Sequence, residues 1–457
     1  MRRSMDIKSD DLIFALDIGT TKICALTGYI NDYNKVEIIA SGIVESTGVN
    51  RGVISNIDKT VSAIEKAISY MKKTANVDCK KIHVGIAGQH IRSMQNSHTM
   101  MRDFPQTEIS LSDVERLNDQ MNKLMLPPGE KILHIIPQEY TIDNEQGILD
   151  PKGMFGAKME ANFHIITAQD ASIKNISKCV EKVGLEVATM TLEPIASSLA
   201  VLSDKEKEAG VLLVDIGGGT TDLTIFQDGI IRHTAVIPFG GNVITKDIKE
   251  GCQLLADQAE LLKIKHGTAV SSYANDNTIY TVEGINGNHK EIPEKILAKI
   301  IEARMSEILD FVLFEIKKAG YERKLLGGIV LTGGGSLLKD IEKLTQYYTG
   351  YDTRIGIPSQ QLAQGYDRMI SSPVFATAIG LLIKGAEEQA KHPSFYKNEI
   401  IETPKADDKV LETAVSESAS VEEQDDDDVS DEPKAGIFHK FFKQVKEFFD
   451  AEPDQDF

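Results

Sequence analysis

The sequence predicts an α/β fold made of two similar domains, because one strand–turn–strand pattern occurs twice. The first copy lies at 14–22 and the second at 211–222. In each copy an apolar strand reaches an aspartate, turns through glycine and threonine, and continues as a second strand. A third glycine-rich turn, at 332–336, follows another apolar strand and leads into a helix. The 457 residues, of which 41% are hydrophobic, are enough to build two such domains.

The first half is expected to run in the order β-β-β-α-β. The strand pair 12–29 is followed by a third strand at 36–44, a helix, and a strand at 81–87. Five apolar residues give that helix one buried face: Ile57, Val61, Ile64, Ile68 and Met71. A second amphipathic helix is predicted at 170–183, and the next helix begins near Glu193.

An insertion at 88–164 interrupts the repeat. It is predicted to hold a helix that begins at Ser112, with Glu115 completing a capping box. Strands at 132–142 and 159–166 complete a small α+β unit.

The second half repeats the opening strands at 211–238, with Asp228-Gly229 as the hairpin turn. A second insertion, at 240–313, is expected to contain helices and a hairpin. Helices predicted at 337–348 and 374–384 complete the globular body.

The three glycine-rich turns have the composition of a phosphate-binding site. Glycines let successive backbone N–H groups converge on a phosphate, and threonine hydroxyls add donors. Asp17 and Asp215 cannot contact phosphate themselves, so we expect them to face Mg²⁺ through water. The alternatives are ordinary β-hairpin turns and aspartates that only cap them. The order and spacing of all three turns favour a nucleotide held between the two domains.

Composition limits the function further. The net charge of −19 is concentrated at 402–433, where thirteen acidic residues and two lysines give a net of −11, which argues against a general nucleic-acid-binding surface. The cysteines form no Cys-x-x-Cys pair and are expected to be buried thiols in a reducing cytosol. They are Cys24, Cys79, Cys179 and Cys252. The chain shows no signal peptide and no apolar run long enough to span a bilayer, which predicts a cytoplasmic protein.

The C-terminal tail is predicted to contain an acidic, disordered linker at 392–433 and an amphipathic helix at 434–451. Seven apolar side chains share one face of that helix: Ile437, Phe438, Phe441, Phe442, Val445, Phe448 and Phe449. Three lysines flank or oppose that face: Lys440, Lys443 and Lys446. Behind a solvated tether, such a helix is expected to bind anionic membrane lipid, weakly as a single copy and strongly in a polymer. Docking on the chain's own domain or on another protein is the alternative.

Three segments resemble the FtsA family of bacterial cell division proteins: LHIIPQEYTID at 133–143, RHTAVIP at 232–238 and GNVIT at 241–245. The resemblance extends over about 12–386 and resumes at the extreme C-terminus. The glycine turns are similar to the phosphate-1, phosphate-2 and adenosine motifs of the actin superfamily, which includes this family. The resemblance therefore implies an actin-like, ribonuclease H-like fold of duplicated domains with inserted subdomains.

The resemblance divides the body into four subdomains. Subdomain 1A would comprise 11–87, 165–208 and the C-terminal helix 366–391, and subdomain 1C would be the insertion 88–164. Subdomain 2A would comprise 209–239 and 314–365, and subdomain 2B would be the insertion 240–313.

The resemblance also implies an ATP–Mg²⁺ site. Its nucleotide-binding residues would be Gly19, Thr20, Thr21, Lys22, Gly217, Gly218, Gly219, Thr220, Thr221, Glu260, Lys263, Gly334, Gly335 and Ser336, with Asp17 and Asp215 at the metal. Glu260 and Lys263 would otherwise be a solvated helix face, and Lys22 a solvated strand residue. Glu193 occupies the place where related ATPases hold the residue that positions the attacking water, so the resemblance implies this role for it. The alternative is that Glu193 only caps a helix. Hydrolysis is expected to be slow or absent.

The function implied by the resemblance is that of an actin-like ATP-binding protein that polymerises on the cytoplasmic face of the cell membrane at the division site. There it would tether FtsZ filaments and recruit later division proteins. Its implied partners are the FtsZ C-terminal peptide, bound near Arg304 in 2B, further copies of itself, anionic lipid, and downstream division proteins at 1C. A pilus-assembly type of actin-like scaffold and a sugar or small-molecule kinase are alternatives on the same fold.

Overall fold

The structure, a computed structural model, describes residues 12–75, 79–283, 289–365 and 368–393. Within these ranges the chain forms a mixed α/β fold with one five-stranded sheet in each half and a separate four-stranded sheet. This architecture confirms the predicted fold class. The predicted membrane helix, and all but the first two residues of the predicted acidic linker, lie outside the described residues.

Eighteen strands and ten α-helices occur in the described ranges. The strands are β1 (Ile13–Ile18), β2 (Lys22–Ile30), β3 (Val36–Glu45), β4 (Val49–Asn50), β5 (Val53–Ile54), β6 (Lys81–Ile86), β7 (Arg92–Met101), β8 (Glu130–Ile142), β9 (Glu145–Ile148), β10 (Lys158–Gln169), β11 (Glu186–Leu192), β12 (Val211–Ile216), β13 (Thr221–Gln227), β14 (Ile230–Ile237), β15 (Ile279–Glu283), β16 (His289–Pro293), β17 (Ile329–Thr332) and β18 (Thr353–Ile355). The helices are α1 (Ile57–Ala75), α2 (Leu111–Gln120), α3 (Asp170–Lys182), α4 (Glu193–Val201), α5 (Asp204–Ala209), α6 (Gly241–Cys252), α7 (Ala256–His266), α8 (Glu294–Lys318), α9 (Ile341–Thr349) and α10 (Ala376–Lys391).

The two large sheets share one topology. The strand order is β11-β6-β1-β2-β3 in the first half and β18-β17-β12-β13-β14 in the second. In each sheet the central strand pairs antiparallel with its hairpin partner on one side and parallel with a later strand on the other. Strands β1 and β12 are buried along their whole length, as their apolar sequences IFALDI and VLLVDI require. The predicted β-β-β-α-β order of the first half is confirmed, with only the short hairpin β4–β5 added before α1.

The insertion forms an antiparallel sheet in the order β7-β10-β8-β9, with α2 packed against it. Its helix begins one residue earlier than predicted, and the predicted capping box at Ser112 and Glu115 is wrong. Ser110 caps the helix instead: Asp113 N–H donates to Ser110 Oγ at 3.2 Å, and Ser110 N–H donates to Asp113 Oδ2 at 3.0 Å. The aspartate takes the place of the more usual Glu or Gln at this position.

Two later helices also differ from the predicted bounds. The helix expected at 337–348 begins only at Ile341, because Asp340 before it adopts a left-handed φ of 60°. A short 3₁₀ turn, Gly334–Leu337, stands between this helix and strand β17. The helix expected at 374–384 is α10, which runs seven residues further, to Lys391. The hairpin predicted in the second insertion is confirmed as the pair β15–β16.

Helix α10 completes the core of the first half. Its Ile379, Leu381 and Leu382 are buried in a cluster with side chains of β1 and α4. Gly380 lies so close to α4 that a Cβ there would be 1.8 Å from the Ala196 carbonyl oxygen. The same cluster includes residues of β12, so the two halves share this part of the core.

Burial of the cysteines is confirmed for Cys24, Cys79 and Cys179, whereas Cys252 is half-buried. No disulfide joins any two of these four described residues. Within the described ranges, none of the helices has the length and apolar character needed to cross a membrane.

Candidate functional site

A cleft of about 1200 Å³ lies between the two halves and is lined by all three glycine-rich turns. Asp17, Asp215 and Glu193 also line it. Twelve of the fourteen predicted nucleotide-binding residues are brought together here: Gly19, Thr20, Thr21, Lys22, Gly217, Gly218, Gly219, Thr220, Glu260, Lys263, Gly334 and Gly335.

The first two turns have the same backbone geometry. Gly19 N–H donates to the Lys22 carbonyl at 3.0 Å in the first turn, and Gly217 N–H donates to the Thr220 carbonyl at 2.9 Å in the second. Each turn follows a strand whose fifth residue is an aspartate and whose sixth is an isoleucine. The duplication expected from the sequence therefore extends to single hydrogen bonds.

The two turns approach each other closely across the cleft. A Cβ on Gly218 would lie 1.9 Å from Thr21 Oγ1, and one on Gly219 would lie 2.7 Å from Thr20 Oγ1. The N–H groups of the first two residues of α6 donate to carbonyls of the second turn at 2.9 and 2.8 Å, which fixes its position. Glycine is required in the second turn because the opposite half leaves no room for a side chain.

The third turn lies against the end of β12. A Cβ on Gly333 would be 2.3 Å from Asp215 Oδ1, and one on Gly335 would be 2.3 Å from the side chain of the following residue, Ile216. Ser336 does not line the cleft: it is buried, and its Oγ donates to the Gly333 carbonyl at 2.7 Å. The backbone of the turn, rather than its serine, faces the cleft.

Four carboxylates collect where the central strands end: Asp17, Asp215, Asp222 and Glu193. Burial, together with the charge of Asp215, raises the pKa of Asp222 to about 7. Burial and the three neighbouring aspartates raise the pKa of Glu193 well above its ordinary value. Burial also raises the pKa of Asp215, although Ser197 Oγ donates to its Oδ2 at 2.7 Å. This end of the cleft therefore favours a bound cation.

Lys22 is the lysine nearest to these carboxylates, and its Nζ donates to Asp17 Oδ2. Burial alone would lower the pKa of Lys22. The negative charge of Asp17 outweighs this effect, with smaller contributions from Cys24 and Glu193, and the net result is a raised pKa. The side chain is 12% exposed, so Lys22 is not a solvated strand residue.

The carboxylate end of the cleft fits a hard divalent cation held through water. Among the described residues, no group of three or more His, Cys, Asp or Glu side chains is placed to hold a metal ion directly. Asp222 Oδ1, however, is buried and has no hydrogen-bond partner in the described part of the chain, while its Oδ2 accepts from Thr220 Oγ1 at 2.9 Å. Mg²⁺ keeps several waters and binds one or two carboxylates plus phosphate oxygens. Asp17, Asp215 and Asp222 could hold such a hydrated ion.

Helix α7 presents Glu260 and Lys263 to another part of the cleft. Lys263 Nζ lies 2.8 Å from Glu260 Oε2, 2.9 Å from Thr245 Oγ1 and 3.0 Å from the Gly241 carbonyl. These contacts join α7 to the start of α6, beside the second turn. The two residues therefore line the cleft and are not a solvated helix face.

Thr221 was also predicted to bind nucleotide, but it does not line the cleft. It is fully buried, and its Oγ1 donates to the Phe239 carbonyl at 2.8 Å. The cleft residues that were not identified from the sequence include Asp222, Asn242 and Thr377. The position of Asp222, directly after the threonines of the second turn, could have identified it from the sequence. Thr377 has no such signal, because α10 reaches the cleft only through tertiary packing.

Arg304, the predicted FtsZ contact, lies on α8 and is not among the residues of the cleft. Its guanidinium pairs with Asp247 through two bonds, Nε–Oδ2 at 2.5 Å and Nη2–Oδ1 at 3.0 Å, and also with Glu307. The predicted membrane-binding residues, at 437–449, lie outside the described residues.

Two family models match the chain. The model described as "Cell division protein FtsA" matches residues 212–380, which include the second and third turns. The model described as "SHS2 domain inserted in FTSA" matches residues 88–167, which form the inserted sheet.

Individual proteins give a consistent result. The chain is 37% identical over 385 residues to the cell division protein FtsA of Pseudomonas aeruginosa, a match that covers 84% of this chain and 91% of that protein. It is similar to a chain of the PilM–PilN type IV pilus biogenesis complex, with a TM-score of 0.59 and 14% identity over 82% of this chain and 98% of that one. It is also similar to MreB5 of Spiroplasma citri bound to AMPPNP, with a TM-score of 0.51 and 17% identity over 84% and 97% of the two chains. The structural similarities show the actin-like fold, and the sequence matches show that the chain belongs to the FtsA family of cell division proteins.

Proposed function

We propose that the chain binds ATP with Mg²⁺ in the cleft between its two halves. The observation that carries this proposal is the pair of turns with the same hydrogen bond, facing each other across the cleft. Backbone N–H groups of both turns and the hydroxyls of Thr20 and Thr21 would bind the phosphates, with Lys22 near the terminal groups. Mg²⁺, held through water by Asp17 and Asp215, would neutralise phosphate charge. The similar MreB5 structure, solved with AMPPNP, supports this assignment.

The third turn and α7 would hold the nucleoside. Gly334 borders open space, since no atom of the described residues other than Gly334 and its two chain neighbours lies within 4 Å of the position that its Cβ would occupy. Glu260 and Lys263 line the same cleft from α7, where they would contact the ribose and adenine.

Hydrolysis would be slow, and the nucleotide would act mainly as a conformational switch. Glu193 opens α4, but no side chain caps this helix by a hydrogen bond, so the helix-capping alternative lacks support. Burial and the neighbouring aspartates raise the pKa of Glu193, so this carboxyl holds its proton more readily than an exposed one. Rapid turnover would require a water oriented in line with the terminal phosphate and a base to activate it.

The wider role follows from membership of the FtsA family. The protein would polymerise on the cytoplasmic face of the cell membrane at the division site, where its C-terminal helix would bind anionic lipid. It would tether FtsZ filaments through their C-terminal peptide and recruit later division proteins through the inserted sheet. Family membership favours this role over the pilus-type scaffold and the kinase.

Co-sedimentation with anionic vesicles tests this role. FtsZ filaments should sediment with vesicles when the full chain is present, and more FtsZ should sediment with ATP–Mg²⁺ than with ADP. A chain truncated after residue 393 is the matched control: it should bind ATP but leave FtsZ in the supernatant. The proposal would be contradicted if the full chain bound no ATP, or if it left FtsZ in the supernatant at saturating ATP.

A further inference from the structure

The hairpin β4–β5 contacts the glycine-rich turns of both halves. Its tip is formed by Arg51 and Gly52. A Cβ on Gly219, in the second turn, would lie 2.8 Å from Arg51 Cα and 3.0 Å from Arg51 N. Gly52 N–H donates to Thr20 Oγ1, in the first turn, at 3.1 Å. The tip therefore contacts one phosphate-type turn from each half.

The base of the hairpin is fixed to the first half. Ser46 N–H donates to the Thr21 carbonyl at 3.0 Å, which ties the incoming strand to the first turn. The N–H groups of Ser55 and Asn56 donate to the Gly48 carbonyl at 2.8 and 3.0 Å and close the hairpin. These bonds set where the tip can lie.

Arg51 is an unusual residue for the turn that it occupies. Asn50 pairs with Val53, and the two residues between them have φ values of 49° and 72°, as in a type I′ turn. The first of these positions favours Asn, Asp or Gly, because a side chain branching from a left-handed backbone is disfavoured. An arginine that occupies a disfavoured conformation beside a candidate site suggests a functional reason for its presence.

The lysines of the first turn and of α7 have acidic partners in the structure, whereas the arginine at the hairpin tip has none among the described residues. Lys22 is already paired with Asp17, and Lys263 with Glu260. Arg51 is exposed and forms no hydrogen bond or ion pair with any residue that the structure describes. Arg51 is not itself among the residues that line the cleft, but its neighbour Gly52 is, so the hairpin tip borders the cleft and the guanidinium is free to pair with a ligand bound there.

We propose that Arg51 recognises the terminal phosphate of a nucleoside triphosphate in the cleft and thereby distinguishes ATP from ADP. The inference rests on the proposed function, because it requires a nucleotide between the two turns. A planar guanidinium can donate two parallel hydrogen bonds to phosphate oxygens. Since the tip contacts both halves, this bond would hold the halves together with ATP and would be absent with ADP.

The test compares three variants with the wild type. Arg51→Asn removes the charge but supplies a residue that type I′ turns favour, so the hairpin keeps its shape. Arg51→Lys keeps the charge and loses the planar fork. Lys66→Gln removes one positive charge from an exposed position on α1, away from the cleft, and serves as the control.

Affinities for ATP and ADP are measured by titration in the presence of Mg²⁺. Arg51→Asn should weaken ATP binding about tenfold and ADP binding less than about twofold, because only the triphosphate offers the additional charged acceptor. Arg51→Lys should fall between the wild type and Arg51→Asn, and Lys66→Gln should match the wild type.

The outcomes separate the two proposals. A wild-type protein that binds neither nucleotide would refute the proposed function. If both nucleotides bind and Arg51→Asn leaves the ratio of their affinities unchanged, only the role of Arg51 is refuted. Trypsin cleavage after Arg51 gives a readout on the wild-type chain itself: ATP should slow the appearance of the peptide that ends at Arg51 relative to ADP, and equal rates would also overturn the inference.

Discussion

Replacing Gly218 should weaken ATP binding, because this residue lies where the turns of the two halves approach each other closely. Its Cβ would be 1.9 Å from Thr21 Oγ1, 3.3 Å from Thr21 Cβ and 3.4 Å from Asn242 Oδ1. In Gly218→Ala the overlapping atom is the tip of the Thr21 side chain, so rotation of that side chain relieves the overlap. Gly218→Val adds two more methyl groups, which this one rotation cannot accommodate.

The size of the effect follows from what Thr21 loses. Displacing a side chain from its preferred rotamer costs about 0.5–1.5 kcal/mol. A hydrogen bond from a hydroxyl to a charged group contributes about 1.5–3 kcal/mol. The sum is about 2–4.5 kcal/mol, so Gly218→Ala should raise the Kd for ATP by about 30- to 1600-fold. Gly218→Val should abolish measurable binding.

Calorimetric titration with ATP–Mg²⁺ checks this prediction, and circular dichroism checks that each variant is folded. Gly334→Ala is the control for folding, since it adds the same methyl group to the same cleft at a position where no described residue beyond the two chain neighbours has an atom within 4 Å. Its thermal unfolding without nucleotide should match that of the wild type. Wild-type ATP affinity in a folded Gly218→Val protein would show that phosphate does not pass between the two turns.

Three further predictions concern charge and partner binding. The pKa of Asp222 is about 7 in the folded chain and near 3.8 in the unfolded chain. Between these pH values the unfolded chain binds fewer protons than the folded one, so the free energy of unfolding without nucleotide should fall as the pH rises from about 4 to about 7. Asp222→Asn should reduce that slope in thermal unfolding, and an equal slope in both proteins would contradict the pKa assignment. Replacing Phe441 and Phe448 with Glu should abolish sedimentation with anionic vesicles and leave ATP binding intact, and wild-type binding should weaken with salt; continued sedimentation would assign the helix to a protein partner. Arg304→Glu should weaken binding of the FtsZ C-terminal peptide at least about tenfold in fluorescence anisotropy, by reversing a charge that pairs with acidic groups. Glu307→Gln, which removes one acidic partner of Arg304, should not weaken it, and unchanged affinity in Arg304→Glu would exclude this residue from the interface.

The hairpins of the cleft could be predicted because their signals are local. An apolar strand, an aspartate, a glycine and a threonine within nine residues specify a strand end and a turn, and the structure places Asp17 and Asp215 at equivalent positions. The error at α2 arose because Ser110 and Ser112 both precede suitable acidic residues, and local sequence does not decide which serine caps the helix.

Contacts between distant segments could not be predicted in this way. Ser197 donates to Asp215, and Arg51 contacts Gly219, yet neither pair shares a sequence pattern. Their proximity depends on how α4 and the hairpin β4–β5 pack in the folded chain. The sequence therefore indicated the turns, while the surroundings that determine charge and access required the folded chain.

The position of α10 delays the folding of the first half during synthesis. Its own sheet is complete by β11, but the apolar surfaces of β1 and α4 remain uncovered until Lys391 has been made. Roughly 200 residues separate these points, and their synthesis takes about 10–40 s at ordinary rates of translation. A nascent chain therefore exposes an unfinished core for that interval, during which it is prone to aggregate and to be bound by chaperones. Chains that end before Ala376 never cover it.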